Sequence, residues 1–260
     1  MYVKPRILIL VMVVPGCSRD APAVKNASRQ PPEESMGMPL ILAEEFDEPS
    51  PDRWMPTDPA AWKFTKDGDR SVYAMVARSD YKPKYRSPEG ISVLKDLYVS
   101  DFVLDVWLCS TAKDYAHRDM CVFFGHQGPT RFYYVHFGLK SDEVSNTIHI
   151  VNDKPRAPIA ETRTEGTPWT EGYHQVRVVR KVESGTIEAY FDDMTTPAMT
   201  AHDTTLQWGR IGVGSFDDTG NVDRIVLWGR RTTPPASNRP AGAGEASRRS
   251  TTQSSADPSR

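Results

Sequence analysis

Arg210-Ile-Gly-Val-Gly-Ser-Phe-Asp-Asp-Thr-Gly-Asn-Val-Asp-Arg-Ile-Val-Leu-Trp-Gly229 decides the fold of this chain. Two runs of alternating apolar residues flank a turn rich in glycine and aspartate. That alternation marks strands with one buried face. From about Thr232 the composition shifts to Pro, Ser, Ala, Gly and Arg, so the final strand seals a sheet and the fold ends where alternation ends.

Upstream, the same pattern recurs. Strands are expected at Leu40–Phe46, Ser71–Ala77, Asp101–Cys109, Asp119–Gly125, Arg131–Gly138, Thr147–Val151, His174–Arg180 and Thr186–Asp192. Phe102, Leu104, Val106 and Leu108 share one face of the third. Between the runs stand Gly128-Pro129, Asn152-Asp153, Pro155, Glu183-Ser-Gly185 and Asp192-Asp193. These turn by positive φ, fixed φ or side-chain capping. His174–Arg180 and Thr186–Asp192 read as a hairpin, with Val176 and Val178 against Ile187, Ala189 and Phe191. Capped helical periods are nearly absent, so the chain is all-β, an antiparallel two-sheet sandwich.

The two ends are not part of that domain. Lys4 and Arg6 precede the apolar run Ile7–Val14. The run is shorter than the roughly 20 residues a membrane span needs. Pro15-Gly16-Cys17-Ser18 follows, similar to a bacterial lipoprotein signal in which Cys17 is lipidated. The alternatives are an ordinary cleaved signal peptide or a short buried segment. Residues 1–17 are thus expected to be a signal, 18–37 a polar tether, 38–231 the sandwich and 232–260 a disordered tail. Export and anchoring to a bacterial membrane through the lipid follow. A formal charge of −2 gives no reason to expect nucleic acid or an anionic surface as partner.

Several pieces together resemble concanavalin A-like (lectin/glucanase) jelly rolls, and among them the 3-keto-disaccharide hydrolase-like domains of exported bacterial proteins. They are Glu45-Phe46-Asp47 with Trp54, Asp101–Leu104, Phe123–Gln127, Tyr133–His136, Tyr173-His174, Gly185–Asp192 and Gly212–Phe216. The resemblance implies a two-sheet antiparallel jelly-roll sandwich with a carbohydrate or glycoconjugate as partner. It also implies a structural calcium bridging the first and last strands, for which Glu45, Asp47 and Asp223 stand in the corresponding places. No cofactor is otherwise required. The Glu-x-Asp-x-x-Glu motif that family-16 glycoside hydrolases carry on one strand is absent. Asp101 and Asp105 share a strand face, and a solubilising role at a strand edge is expected for them.

Candidate ligand residues come from three consecutive strands. Arg118 opens one and His126-Gln127 closes it; Tyr134 and His136 share a face of the next; His149 and Asn152 follow. On neighbouring strands of a concave sheet they offer a stacking ring and in-plane donors to a polyol. A transition-metal site from His126, His136 and His149 has no tight ligand spacing. Cys109 and Cys121 flank a loop and either pair across a hairpin in an oxidising compartment or stay as buried thiols. Trp107, Trp208 and Trp228 read as core or rim packing. Three functions remain open: carbohydrate recognition, glycoside hydrolysis of the 3-keto type, and laminin-G-like protein interaction.

Overall fold

The computed structural model describes residues 30–235. The signal segment, Cys17, residues 18–29 of the expected tether and residues 236–260 of the tail lie outside the described residues. The strands are β1 (Glu34–Ser35), β2 (Met38–Glu44), β3 (Trp54–Pro56), β4 (Trp62–Asp67), β5 (Arg70–Met75), β6 (Gly90–Leu94), β7 (Val99–Ser110), β8 (Asp119–Gly128) and β9 (Arg131–Gly138). They continue as β10 (Thr147–Asn152), β11 (Ala157–Pro158), β12 (Ala160–Arg163), β13 (His174–Lys181), β14 (Thr186–Phe191), β15 (Met199–His202), β16 (Arg210–Ser215) and β17 (Gly220–Arg231).

All pair antiparallel, in two sheets. One has ten strands along the order β1-β2-β17-β7-β13-β14-β15-β12, with the β4–β5 hairpin attached through β5 to β17. The other has seven, ordered β11-β10-β9-β8-β16-β6-β3. The core lies between them. Phe102, Leu104, Val106 and Leu108 of β7, Val176 and Val178 of β13, and Ile187, Ala189 and Phe191 of β14 face Val122 and Phe124 of β8 and Tyr133, Val135 and Phe137 of β9. The expected hairpin registers Val176 against Phe191 and Val178 against Ala189. Both strands of the opening stretch are present, as β16 and β17.

The domain begins earlier than the composition suggests. β1 pairs with β2 through a two-residue turn at Met36 (φ 51°) and Gly37 (φ 76°), the positive-φ pair that a tight hairpin requires. Trp228 Nε1 donates to the Pro32 carbonyl at 2.7 Å, holding this hairpin on the sheet. Residues 34–37, read as tether, therefore belong to the sandwich.

Asp105 corrects another expectation. β7 is central, between β17 and β13, so Asp105 is not at a strand edge. Its side chain is 4% exposed and accepts from Arg177 Nε (2.6 Å), Arg177 Nη2 (2.7 Å) and Gln175 Nε2 (3.0 Å). Asp101, by contrast, accepts from the Val182 amide and caps the β13–β14 turn.

Arg177→Met should strip the buried Asp105 carboxylate of its cation and cost about 3 kcal/mol in urea unfolding. Gly214→Ala should also destabilise strongly, because its Cβ would stand 1.9 Å from the Gly90 carbonyl oxygen across the β16–β6 ladder.

Candidate functional site

At one end of the sandwich, five pieces of chain surround a cavity of about 550 Å³. The end of β4 gives Asp67. The end of β7 gives Cys109 and Ser110, and the loop after it Lys113, Asp114 and Arg118. Trp169, Thr170 and Glu171 precede β13, and Asn221, the second residue of β17, stands directly opposite Cys109.

The walls are fixed by their own hydrogen bonds. Arg118 is 4% exposed and donates to Ser110 Oγ, the Ser110 carbonyl and the Thr170 carbonyl, while Nη1 pairs with Asp114. Trp169 Nε1 donates to the Phe137 carbonyl. His174 Nε2 accepts from the Thr170 amide at 3.0 Å, so Nδ1 carries the proton and donates to Asp192 at 2.7 Å. Asp67 Oδ2 accepts from Tyr173 Oη (2.7 Å) and Asn221 Nδ2 (3.2 Å). Burial, then that carboxylate, push the Tyr173 hydroxyl far up its scale, so it stays protonated. Burial likewise raises the Cys109 thiol.

The seven expected ligand residues do not form one site. Arg118 alone reaches the end cavity. Tyr134, His136 and His149 do converge, on the outward face of the seven-stranded sheet, with Tyr134 and His149 rings stacked at 4.7 Å. That face is covered. Tyr134 and His149 are 0% exposed and His136 3%. Phe216 lies 6.2 Å from the His136 ring, Arg156 sits over Phe216 and donates to Tyr134 Oη, and the 142–146 loop supplies the Val144 carbonyl. Burial pushes His149 down to about 2, a neutral ring with neither nitrogen hydrogen-bonded.

The rest are scattered. His126 stacks on Phe132 at 5.5 Å, Gln127 is tied to the Trp208 carbonyl, and Asn152 stands opposite Arg131 at the far end of β10. Cys109 and Cys121 are both free and buried, which corrects the disulfide. They lie on strands of different sheets rather than across one hairpin, because the chain passes between sheets after Ser110. Of the expected calcium ligands, Glu45 pairs with Arg224 (2.6 Å), Asp47 accepts from Ser71 Oγ (3.0 Å) and Asp223 pairs with Arg70 (2.6 Å). Among the described residues they do not gather within 4.8 Å of one another. Trp228 is 3% exposed, Trp107 lies under Arg224 and Trp208 packs on Tyr98, all packing roles.

No family model matches the chain, and no curated protein matches its sequence. Solved structures do share its shape. A carbohydrate binding module, CBM66, from Bacillus subtilis superposes with a TM-score of 0.51 at 16% identity, covering 68% of this chain and 95% of that one. A GH43 protein, BlXynB, from Bacillus licheniformis gives 0.51 at 10% identity over 72% of this chain and 39% of that one. Identities this low speak to fold alone. The fold is a two-sheet antiparallel jelly-roll sandwich.

Burial, with Arg210 nearby, lowers His126 to about 4. An unfolded histidine titrates near 6.5, so the unfolded chain takes up a proton that the folded one refuses. Stability should fall as pH drops from about 6.5 towards 4. Since His126 keeps some surface, the loss is on the order of 2 kcal/mol. Urea midpoints across that window should be flatter in His126→Phe.

Proposed function

We propose that this chain is a carbohydrate-recognition sandwich and that the end cavity receives the sugar. The make-up of the cavity carries the reading. Sugar hydroxyls both donate and accept, and they are held by carboxylates, amides and cations fixed in place. Asp67, Asp114 and Asn221 supply held groups, and Glu171 and Lys113 add a carboxylate and a cation at the exposed rim, on a wall built from the buried Cys109, Ser110, Arg118 and Trp169. A second hollow of about 570 Å³, around Asp101, Lys181, Glu183 and Arg230, has only the apolar Met38 as a buried lining residue. Rigid walls matter because polar side chains ordered only on binding weaken it. That similar shapes occur in a carbohydrate binding module and a GH43 protein supports the same class of ligand.

Export with lipidation at Cys17 completes the reading on sequence grounds: a tethered domain outside the cytoplasm, facing polysaccharide or glycoconjugate. Hydrolysis, as the 3-keto-disaccharide hydrolase-like resemblance implies, is the second reading. The observation favouring it is three carboxylates around one cavity, since cleavage needs acid–base groups beside the bound sugar.

A glycan array and thermal-shift screen of the full chain tests this. Glu171→Ala and Lys113→Ala, at exposed rim positions, should keep the fold and weaken binding of any sugar hit by about tenfold each. Unchanged affinity in both variants would move the site elsewhere, and no hit on any glycan would remove the sugar reading. Release of reducing ends from a bound oligosaccharide would select hydrolysis over recognition.

A further inference from the structure

On the covered face of the seven-stranded sheet, three side chains form a cluster that sugar recognition does not use. Asp119 and Cys121 are two residues apart on β8 and so share a face, and Cys121 stands directly across from His136 on β9. All three are buried, and their donor atoms lie within 4.8 Å of one another. His136 Nε2 is 3.1 Å from Asp119 Oδ2, and Cys121 Sγ is 3.6 Å from Asp119 Oδ1. Ligand atoms around a tetrahedral ion, at about 2.0–2.3 Å from it, stand about 3.3–3.8 Å apart. The Cys121–Asp119 approach falls in that range, the His136–Asp119 approach is slightly shorter, and all three donor atoms stay within 4.8 Å of one another, so small side-chain shifts bring them around one ion.

The surroundings orient the ligands. His136 Nδ1 is 2.9 Å from the Val144 carbonyl, which only accepts, so Nδ1 carries a proton and Nε2 is turned to the cluster. Ligating imidazoles are held by this kind of outer hydrogen bond. Asp119 Oδ1 is fixed in the same way by Ser215 Oγ (2.8 Å) and the Phe216 amide (3.0 Å). Nε2 itself is buried and has only the Asp119 carboxylate, at 3.1 Å, beside it in poor hydrogen-bond geometry. His149 stands beside the group, 6.3 Å ring to ring from His136, with both ring nitrogens also unpartnered.

We propose that Asp119, Cys121 and His136 bind a zinc-class divalent transition-metal ion that clamps β8 to β9. A thiolate, an imidazole and one carboxylate oxygen are a borderline-soft donor set, suited to zinc or cobalt and not to calcium or magnesium. Charge balances. With metal bound, the cluster is a carboxylate, a thiolate and a neutral imidazole offering Nε2, with net charge −2. The thiol proton leaves as Cys121 Sγ binds, and the divalent ion brings the total to zero. A buried loaded site therefore carries no net charge, which is the condition low-dielectric interiors impose. The role is structural, because the cluster is closed to substrate.

The test unfolds the full chain with reductant and chelator, then refolds it with Co²⁺, Zn²⁺ or Mg²⁺. Expected are one cobalt per chain with thiolate-to-cobalt charge-transfer absorption, and a rise of about 5 °C in Tm with Zn²⁺ but none with Mg²⁺. Cys121→Ser should abolish the absorption and Cys109→Ser keep it. Should Cys121→Ser fail to fold, alkylation of the refolded wild type read by peptide mass spectrometry decides: Zn²⁺ should protect Cys121 at least tenfold when it is added during brief partial unfolding. Natively refolded protein with no charge-transfer band, a band that survives Cys121→Ser, or no zinc protection would overturn the proposal and leave a buried ion pair only.

Discussion

Everything in this structure depends on the insertion of the last strand. β17 does not lie at an edge; it enters between β2 and β7 and also takes β5 at its start. Its twelve residues satisfy backbone groups on both sides, and Val222, Ile225 and Leu227 fill the core beneath. Strand pairing between segments nearly two hundred residues apart carries a large loop-closure cost, offset only when both ladders and the core form together. The same insertion places Asn221 opposite Cys109 and beside Asp67, so the end cavity exists only once the sheet is closed.

Strand alternation then divides the chemistry. Arg118 and Asp119 are adjacent in the chain, yet they serve different places. Arg118, just before β8, turns to Ser110 and Thr170 at the sandwich end. Asp119, the first residue of β8, turns to the outward face and its network with Ser215, Phe216 and His136. One residue of register separates an open polar cavity from a closed polar cluster. The outward face is closed because Phe216, Arg156 and the Val144 loop lie over it, burying both His149 ring nitrogens without a hydrogen-bond partner.

Most of the fold was legible. Where alternation ran for six or more residues, as in β7, β9, β13 and β14, the expected spans match the strands within two residues at each end. Short or exposed elements were missed. β4 presents three consecutive exposed residues, Thr65, Lys66 and Asp67, so no apolar period marks its end. The Gly68-Asp69 pair that turns it into β5, Gly68 at positive φ, was the available signal, and the Asp67 before it marks a wall of the cavity. β6 offers too few residues per face for a period to emerge.

The sequence by itself determined the class of fold and the facing of each long strand, because burial of one strand face is a local property written in every second residue. It also brought Tyr134, His136 and His149 together, since neighbouring strands carry them on one face. Only the tertiary structure decided that this face is covered, that Arg118 belongs elsewhere, that Cys109 and Cys121 lie in different sheets, and that Asp67, Glu171 and Asn221 meet. Those facts depend on which strand neighbours which and on where loops fold back. Both are set by contacts between segments far apart in the chain, to which no local period responds.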